Sequence, residues 1–148
     1  MELYRSTLPQ ISLSGPTRFS NIIQQQLDII DHRKGAGDLY NILLIITDGE
    51  IHDMPETKDL IVRGSKTPLS IIIVGFGKEN FSMMRELDSD GQPLRDSRGT
   101  SAIRDVVQFV KFQEFASQGP ERLAQEVLAE IPDQFVSFMM SQNIMPHP

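Results

Sequence analysis

A chain of 148 residues is long enough for one domain with its own hydrophobic core. Its formal net charge of -6 provides no basic stripe, so binding to nucleic acid is not expected. It has no cysteine, which excludes disulfides and thiolate zinc sites and fits a cytoplasmic protein in a reducing compartment.

The opening segment MELYRSTLPQ lacks the apolar centre of a signal peptide. Nothing in the chain reaches the roughly 18 apolar residues of a membrane span. Residues 1–19 read as irregular, with Pro9, Gly15 and Pro16 as breakers. Helical spacing then begins. Ser20 and Asn21 are candidate caps, Ile23, Leu27 and Ile30 fall on one face, and Ile22 and Ile29 widen the stripe. Gly35 to Gly37 are expected to stop that helix.

Tyr40 to Ile46 is a nearly unbroken apolar run. Its length and β-branched content predict a strand buried on both faces. A helix is expected around Glu56 to Ser65, then a break at Pro68. Leu69 to Val74 reads as a second fully buried strand ended by Gly75-Phe76-Gly77. Leu43, Ile45, Ile72 and Val74 are the expected centre of the core. A short helix is expected around Asn80 to Leu87, and Asp88 to Asp105 reads as a long polar loop. Val106 to Phe112 is the third strand, nearer an edge because Gln108 and Lys111 interrupt it. The last helical segment starts near Pro120, with Leu123, Val127 and Ile131 on one face. Pro132 should break or restart it, because proline costs little in a first turn. Strands alternating with helices predict an α/β fold with parallel strands and right-handed crossovers.

In an open α/β sheet, ligands bind at the carboxyl ends of the strands. The first strand ends in Thr47-Asp48-Gly49-Glu50. A carboxylate there can bind a hard cation, which prefers oxygen ligands, or can cap the helix that follows. Both readings stay open on position alone. Other motifs are weaker. Gly75-Phe76-Gly77 lacks the third glycine and the acidic residue of a dinucleotide site and reads as a tight turn. Asp88-Ser89-Asp90-Gly91 has the start of a calcium loop, but Gly99 occupies the position of its bidentate acid, so it reads as a solvated turn. His32, His52 and His147 share no metal or catalytic spacing. His52 and Asp53 lie near Asp48, yet no nucleophile with a placed base accompanies them. Met139, Met140 and Met145 read as ordinary helix packing.

The segments GPTRFS (15–20), YNILLIITDGEIHDM (40–54), TPLSIIIVGFG (67–77), RDVVQFVKF (104–112) and LAEIPDQFVSFM (128–139) resemble copines in order and spacing. The resemblance covers almost the whole chain. It implies the C-terminal portion of a von Willebrand factor A domain, a three-layer Rossmann-like fold with a mostly parallel sheet whose N-terminal strands are missing here. The metal-ion-dependent adhesion site of such domains uses three loops. The resemblance places Thr17 on the threonine loop and Asp48 on the aspartate loop. No Asp-x-Ser-x-Ser spacing occurs before residue 15, so the third loop is not represented. The implied cofactor is a divalent cation (magnesium, manganese or calcium) in the intact family domain, with an incomplete site in this chain.

The resemblance implies a protein-binding module and not an enzyme. The parent would bind phospholipid in a calcium-dependent way through domains absent here and would bring target proteins to membranes from the cytoplasm. Two alternatives remain. The chain could be the substrate-holding A domain of a RING-type ubiquitin ligase, though a RING region needs a Cys/His pattern this chain lacks. It could instead be a magnesium-dependent phosphotransferase acting through Asp48, with Lys78 as the one candidate lysine. A final expectation concerns the Tyr40–Ile46 strand. Without a neighbour it would expose unpaired backbone and invite self-association, unless Leu3, Tyr4, Leu8 and Ile11 fold back over it.

Overall fold

The computed structural model describes residues 2–12, 15–33, 39–89 and 91–145. Its centre is a three-stranded sheet of β1 (Asn41–Thr47), β2 (Leu69–Gly75) and β3 (Val107–Lys111), in the order β1-β2-β3. Both pairings are parallel. Parallel neighbours require crossovers, and the chain supplies them as helices. Joining β1 to β2 is α3 (Met54–Gly64). α4 (Ser82–Asp88) and a long loop join β2 to β3. The α/β reading and all three strands therefore hold.

The register explains how the core divides. Leu43, Ile71 and Val107 lie side by side, as do Ile45, Ile73 and Phe109. These residues share one face, since directly paired positions point to the same side. Against that face packs α2 (Ser20–His32) through Ile23, Leu27 and Ile30, together with Ile61 and Val62 of α3 and Met84 and Leu87 of α4. The i, i+4, i+7 spacing of α2 is thus its buried stripe. The helix ends at His32; the glycines expected to stop it lie outside the described residues.

The opposite face carries Ile72, Val74, Gln108 and Val110, all buried. It is covered by α6 (Pro120–Val127) and α7 (Ile131–Ser141). Gln108 donates its amide to the Glu126 carbonyl at 3.1 Å, and Ser70 donates its hydroxyl to Gln134 Oε1 at 2.5 Å. These polar contacts fix the two helices on a face that is otherwise apolar. The break between the helices falls at Leu128–Glu130, and Pro132 sits in the first turn of α7, as expected of a restarting helix. Arg104 closes the N-terminal end of the sheet. Its guanidinium donates to the carbonyls of Thr67 (2.5 Å) and Leu69 (2.8 Å) and lies over the rings of Tyr40 and Phe138.

Three expectations are corrected. The first concerns β1. It is buried on one face only: Ile45 and Thr47 are buried and Leu43 half-buried, whereas Ile42, Leu44 and Ile46 are 51%, 51% and 66% exposed. The physical reason is coverage. α6 packs mainly on β3 and α7 mainly on β2, which leaves the same face of β1 largely uncovered. Ile45, Ile72 and Val74 are buried as expected and Leu43 is not fully so.

The second correction concerns the N-terminal segment, which is not irregular. Glu2–Thr7 forms α1 and Leu8–Gln10 a 3-10 turn. Glu2 in the first turn and Arg5 in the last complement the helix dipole. Leu3, Leu8 and Ile11 remain exposed, and residues 2–12 do not pair with β1. Third, Phe112 starts a short helix, α5 (Phe112–Phe115), instead of ending β3.

Candidate functional site

The carboxyl ends of the strands gather the residues that the sequence singled out. β1 ends at Thr47, which is buried and accepts the Gly49 N–H on its hydroxyl at 3.3 Å. This local turn bends the chain as it leaves the sheet. Asp48 is left exposed, with no hydrogen bond or ion pair among the described residues. It does not cap a helix, so the capping alternative does not apply. Thr17 is half-buried and reaches the same place from the loop before α2. Its carbonyl accepts the His52 N–H at 3.0 Å. Its hydroxyl oxygen lies 3.5 Å from the point where a Cβ on Gly49 would stand. The structure therefore brings the Thr17 loop against the Asp48-Gly49 turn.

What holds the two loops together is Asp53. Its carboxylate accepts the backbone N–H groups of Phe19 (3.1 Å) and Ser20 (2.9 Å) and the Thr57 hydroxyl (3.3 Å). Its own carbonyl accepts the Thr57 N–H at 2.9 Å. One buried side chain thus satisfies open donors at the start of α2 while standing at the start of α3. Burial pushes the Asp53 carboxyl up, but bonds from Ser20, Phe19 and Thr57 outweigh it and hold it below the usual carboxylate value. Phe19 and Ile51, both 3% exposed, give the two loops an apolar footing.

Sequence reasoning did not find this role. Asp53 and Glu56 have the spacing of a capping box, and Pro55 marks a first turn, so α3's own start was readable. The use of the carboxylate on α2, 34 residues away in sequence, was not. Ser20 and Asn21, the expected caps, are not used: Ser20 is the first helical residue, and no side chain of Phe19 serves it.

The second strand end is a packing feature. A Cβ on Gly75 would stand 2.7 Å from the Phe81 ring, so glycine is what lets that ring close the strand end. Phe76 stacks on Phe112 with centroids 4.3 Å apart. Lys78 is exposed and makes no ion pair with Asp48. His52 is exposed, and His147 and Asp90 lie outside the described residues. Asp88 accepts the Phe109 N–H at 2.8 Å, which ties α4 to β3.

The site as it stands offers two oxygen-bearing side chains, Thr17 and Asp48. Oxygen donors of this kind suit magnesium, manganese or calcium. Their number does not: magnesium takes about six oxygens and calcium about six to eight. No group of three or more histidine and acidic residues suited to a metal occurs among the described residues. The residues present are a partial set of ligands. Nor is any helix among the described residues long and apolar enough to cross a membrane.

Comparison with known proteins gives the family. Copine-E of Dictyostelium discoideum is 45% identical over 154 residues, an alignment that takes in 99% of this chain and 26% of the relative. The chain thus spans about a quarter of that protein. The profile of the copine family matches residues 1–147, and with nearly every residue inside that match the chain belongs to the copine family.

Proposed function

We propose that this chain is part of a copine A-type module that binds target proteins at the carboxyl ends of its strands. In this reading Thr17 and Asp48 are two of the oxygen ligands of a divalent cation held by the intact domain. The observation that carries it is the seating of the Thr17 loop beside the Asp48-Gly49 turn, through the His52–Thr17 bond and the nearness of the Thr17 hydroxyl to the open side of Gly49. An exposed Asp48 with no side-chain partner among the described residues is free to serve a ligand. When bound, the cation would offer an open coordination position to an acidic side chain of the target. This chain's own contribution is to present the carboxylate and hydroxyl on turns fixed by Asp53. The reading includes a cytoplasmic parent that reaches membranes by calcium-dependent phospholipid binding through other domains.

The experiment compares the full-length copine with its Asp48→Ala and Thr17→Ala variants by proximity labelling in cells. A defined set of neighbours should be lost in both variants, while calcium-dependent vesicle binding stays as in the wild type. An identical set of neighbours in all three proteins overturns the reading. A parallel titration asks what the 148-residue chain does alone. Manganese should broaden the amide signals of Thr17, Asp48 and Gly49 only at about millimolar concentration, because two side chains leave most of the coordination shell to water. Sub-micromolar magnesium binding by calorimetry, abolished by Asp48→Ala, would refute the partial site. Magnesium-dependent phosphate release from ATP that requires Asp48 would favour the phosphotransferase instead.

A further inference from the structure

The crossover from β2 to β3 carries a hairpin whose tip rests on one carboxylate of α3. Arg95 and Ser101 form an antiparallel bridge, and the Ala102 N–H is donated to the Leu94 carbonyl at 2.8 Å. Buried Leu94 anchors the base of the hairpin in the core. The tip from Asp96 to Thr100 is closed by its own bonds. The Asp96 N–H goes to the Thr100 carbonyl (2.9 Å) and the Gly99 N–H to the Asp96 carbonyl (3.0 Å). The buried Asp96 carboxylate accepts the N–H groups of Arg98 (3.0 Å) and Thr100 (2.7 Å). Gly99, at φ +80°, supplies the left-handed residue that such a turn requires. Docking on α3 is a separate matter. Ser97 donates its N–H (2.7 Å) and its hydroxyl (2.9 Å) to the two carboxylate oxygens of Asp59. Ser97 is exposed, and the exposed Arg95 and Arg98 stand two residues before it and one after.

We propose that Ser97 is a phosphorylation site and that its phosphate undocks the hairpin from α3. The enzyme is an arginine-directed serine kinase with ATP as donor. Arginine on both sides of the serine is the charge pattern by which an acidic substrate groove selects its target. The neighbouring hydroxyls lack it: Ser101 is half-buried in the bridge, and Thr100 has no basic residue within the three that follow it. In the transfer the Ser97 oxygen attacks the γ-phosphorus of ATP. A new O–P bond forms, the bond from that phosphorus to the β,γ-bridging oxygen breaks, and ADP leaves. The hydroxyl proton passes to the kinase's base and on to solvent. The oxygen that donated to Asp59 then has no proton, and the group attached to it carries about -1.5 to -2 charge at pH 7. Beside a carboxylate such a group is repelled. The Ser97 N–H bond is lost with the hydroxyl bond, because both end on Asp59. Arg95 and Arg98 move with the phosphate and offer it charge-assisted bonds on the hairpin itself. The turn keeps its shape, since the bonds of Asp96 are untouched. The switch is independent of the Thr17 and Asp48 reading.

The test uses the full-length copine, isolated from cells grown with a phosphatase inhibitor and, in parallel, treated with ATP and the catalytic domain of a protein kinase C. Fragment-ion mass spectrometry should place phosphate on Ser97 in both samples, and Arg95→Ala should lower its incorporation. Hydrogen exchange on overlapping peptides that resolve Ser97 from Thr100 then reads the undocking. The Ser97 amide should exchange about ten- to a hundredfold faster in the phosphoprotein, the loss expected for one bond to a charged group. The amides of Arg98 and Thr100, held by Asp96, should keep their protection. Ser97→Glu should follow the phosphoprotein. Ser97→Ala loses the hydroxyl but keeps the N–H bond and should stay near the wild type, which separates added charge from a missing donor. Should Ser97→Glu fail to fold, the phosphorylated wild type gives the same reading. Absence of phosphate from Ser97 in either sample, or phosphate on Thr100 or Ser101 in its place, overturns the site. Unchanged exchange at a phosphorylated Ser97, or equal loss of protection at Arg98 and Thr100, overturns the undocking.

Discussion

Removing the Asp53 carboxylate should cost more than any surface change near the proposed site, and the cost should depend on pH. In Asp53→Ala the N–H groups of Phe19 and Ser20 lose their acceptor, and the Thr57 hydroxyl loses its partner. A helix N-cap is worth about 0.5–2 kcal/mol, and a bond to a charged group about 1.5–3 kcal/mol. Asp53 is 7% exposed, so water replaces little of what is lost. The expected cost is about 3 kcal/mol. Asp53→Asn keeps one acceptor oxygen and should cost about 1–2 kcal/mol. Urea titration at neutral pH measures both.

The acid dependence gives a second, independent reading. The folded carboxyl lies below its ordinary value of 3.8, so the unfolded chain takes up a proton first as pH falls. The Asp53 contribution is therefore complete above the unfolded value and is lost as pH drops from about 4 through the folded value. Asparagine does not titrate, so the gap between wild type and Asp53→Asn should narrow over that range. Asp96 is also pushed up by burial yet held low overall by the N–H groups of Thr100 and Arg98. It titrates in both proteins and cancels in the comparison. A neutral-pH cost below about 0.5 kcal/mol for Asp53→Ala, or a gap that does not change down to pH 3, would refute the assignment of Asp53 as the pin between the loops.

Two further substitutions probe the sheet. Ile72→Ala, on the central strand at 3% exposure, should cost about 2–5 kcal/mol in the same titration; under about 1 kcal/mol would contradict its burial beneath α6 and α7. Gly75→Ala should cost about 1–3 kcal/mol, because its Cβ would stand 2.7 Å from Phe81 Cε1. Gly75→Ala with Phe81→Leu should then be less damaging than the sum of the two single changes, and simple additivity would show that the ring does not press on that strand end.

The fold was legible where a pattern had only one physical solution. Ile23, Leu27 and Ile30 can share a face only in a helix, and α2 buries that stripe. β2 is apolar throughout and is buried throughout, because it has a strand on each side and helices on both faces. β1 shows where that logic fails. Its run of apolar residues carries no period-2 signal, so nothing local distinguishes Leu43 and Ile45 from Ile42 and Leu44. Coverage decides burial, and coverage belongs to α6 and α7, more than 70 residues downstream. The site divides the same way. Thr17 and Asp48 were placed by family resemblance, and the structure sets their loops together. Asp53 drew notice only beside His52 as acid–base work that no nucleophile supports, and its bonds to Phe19 and Ser20 were not foreseen. A tertiary cap leaves no periodic trace in sequence.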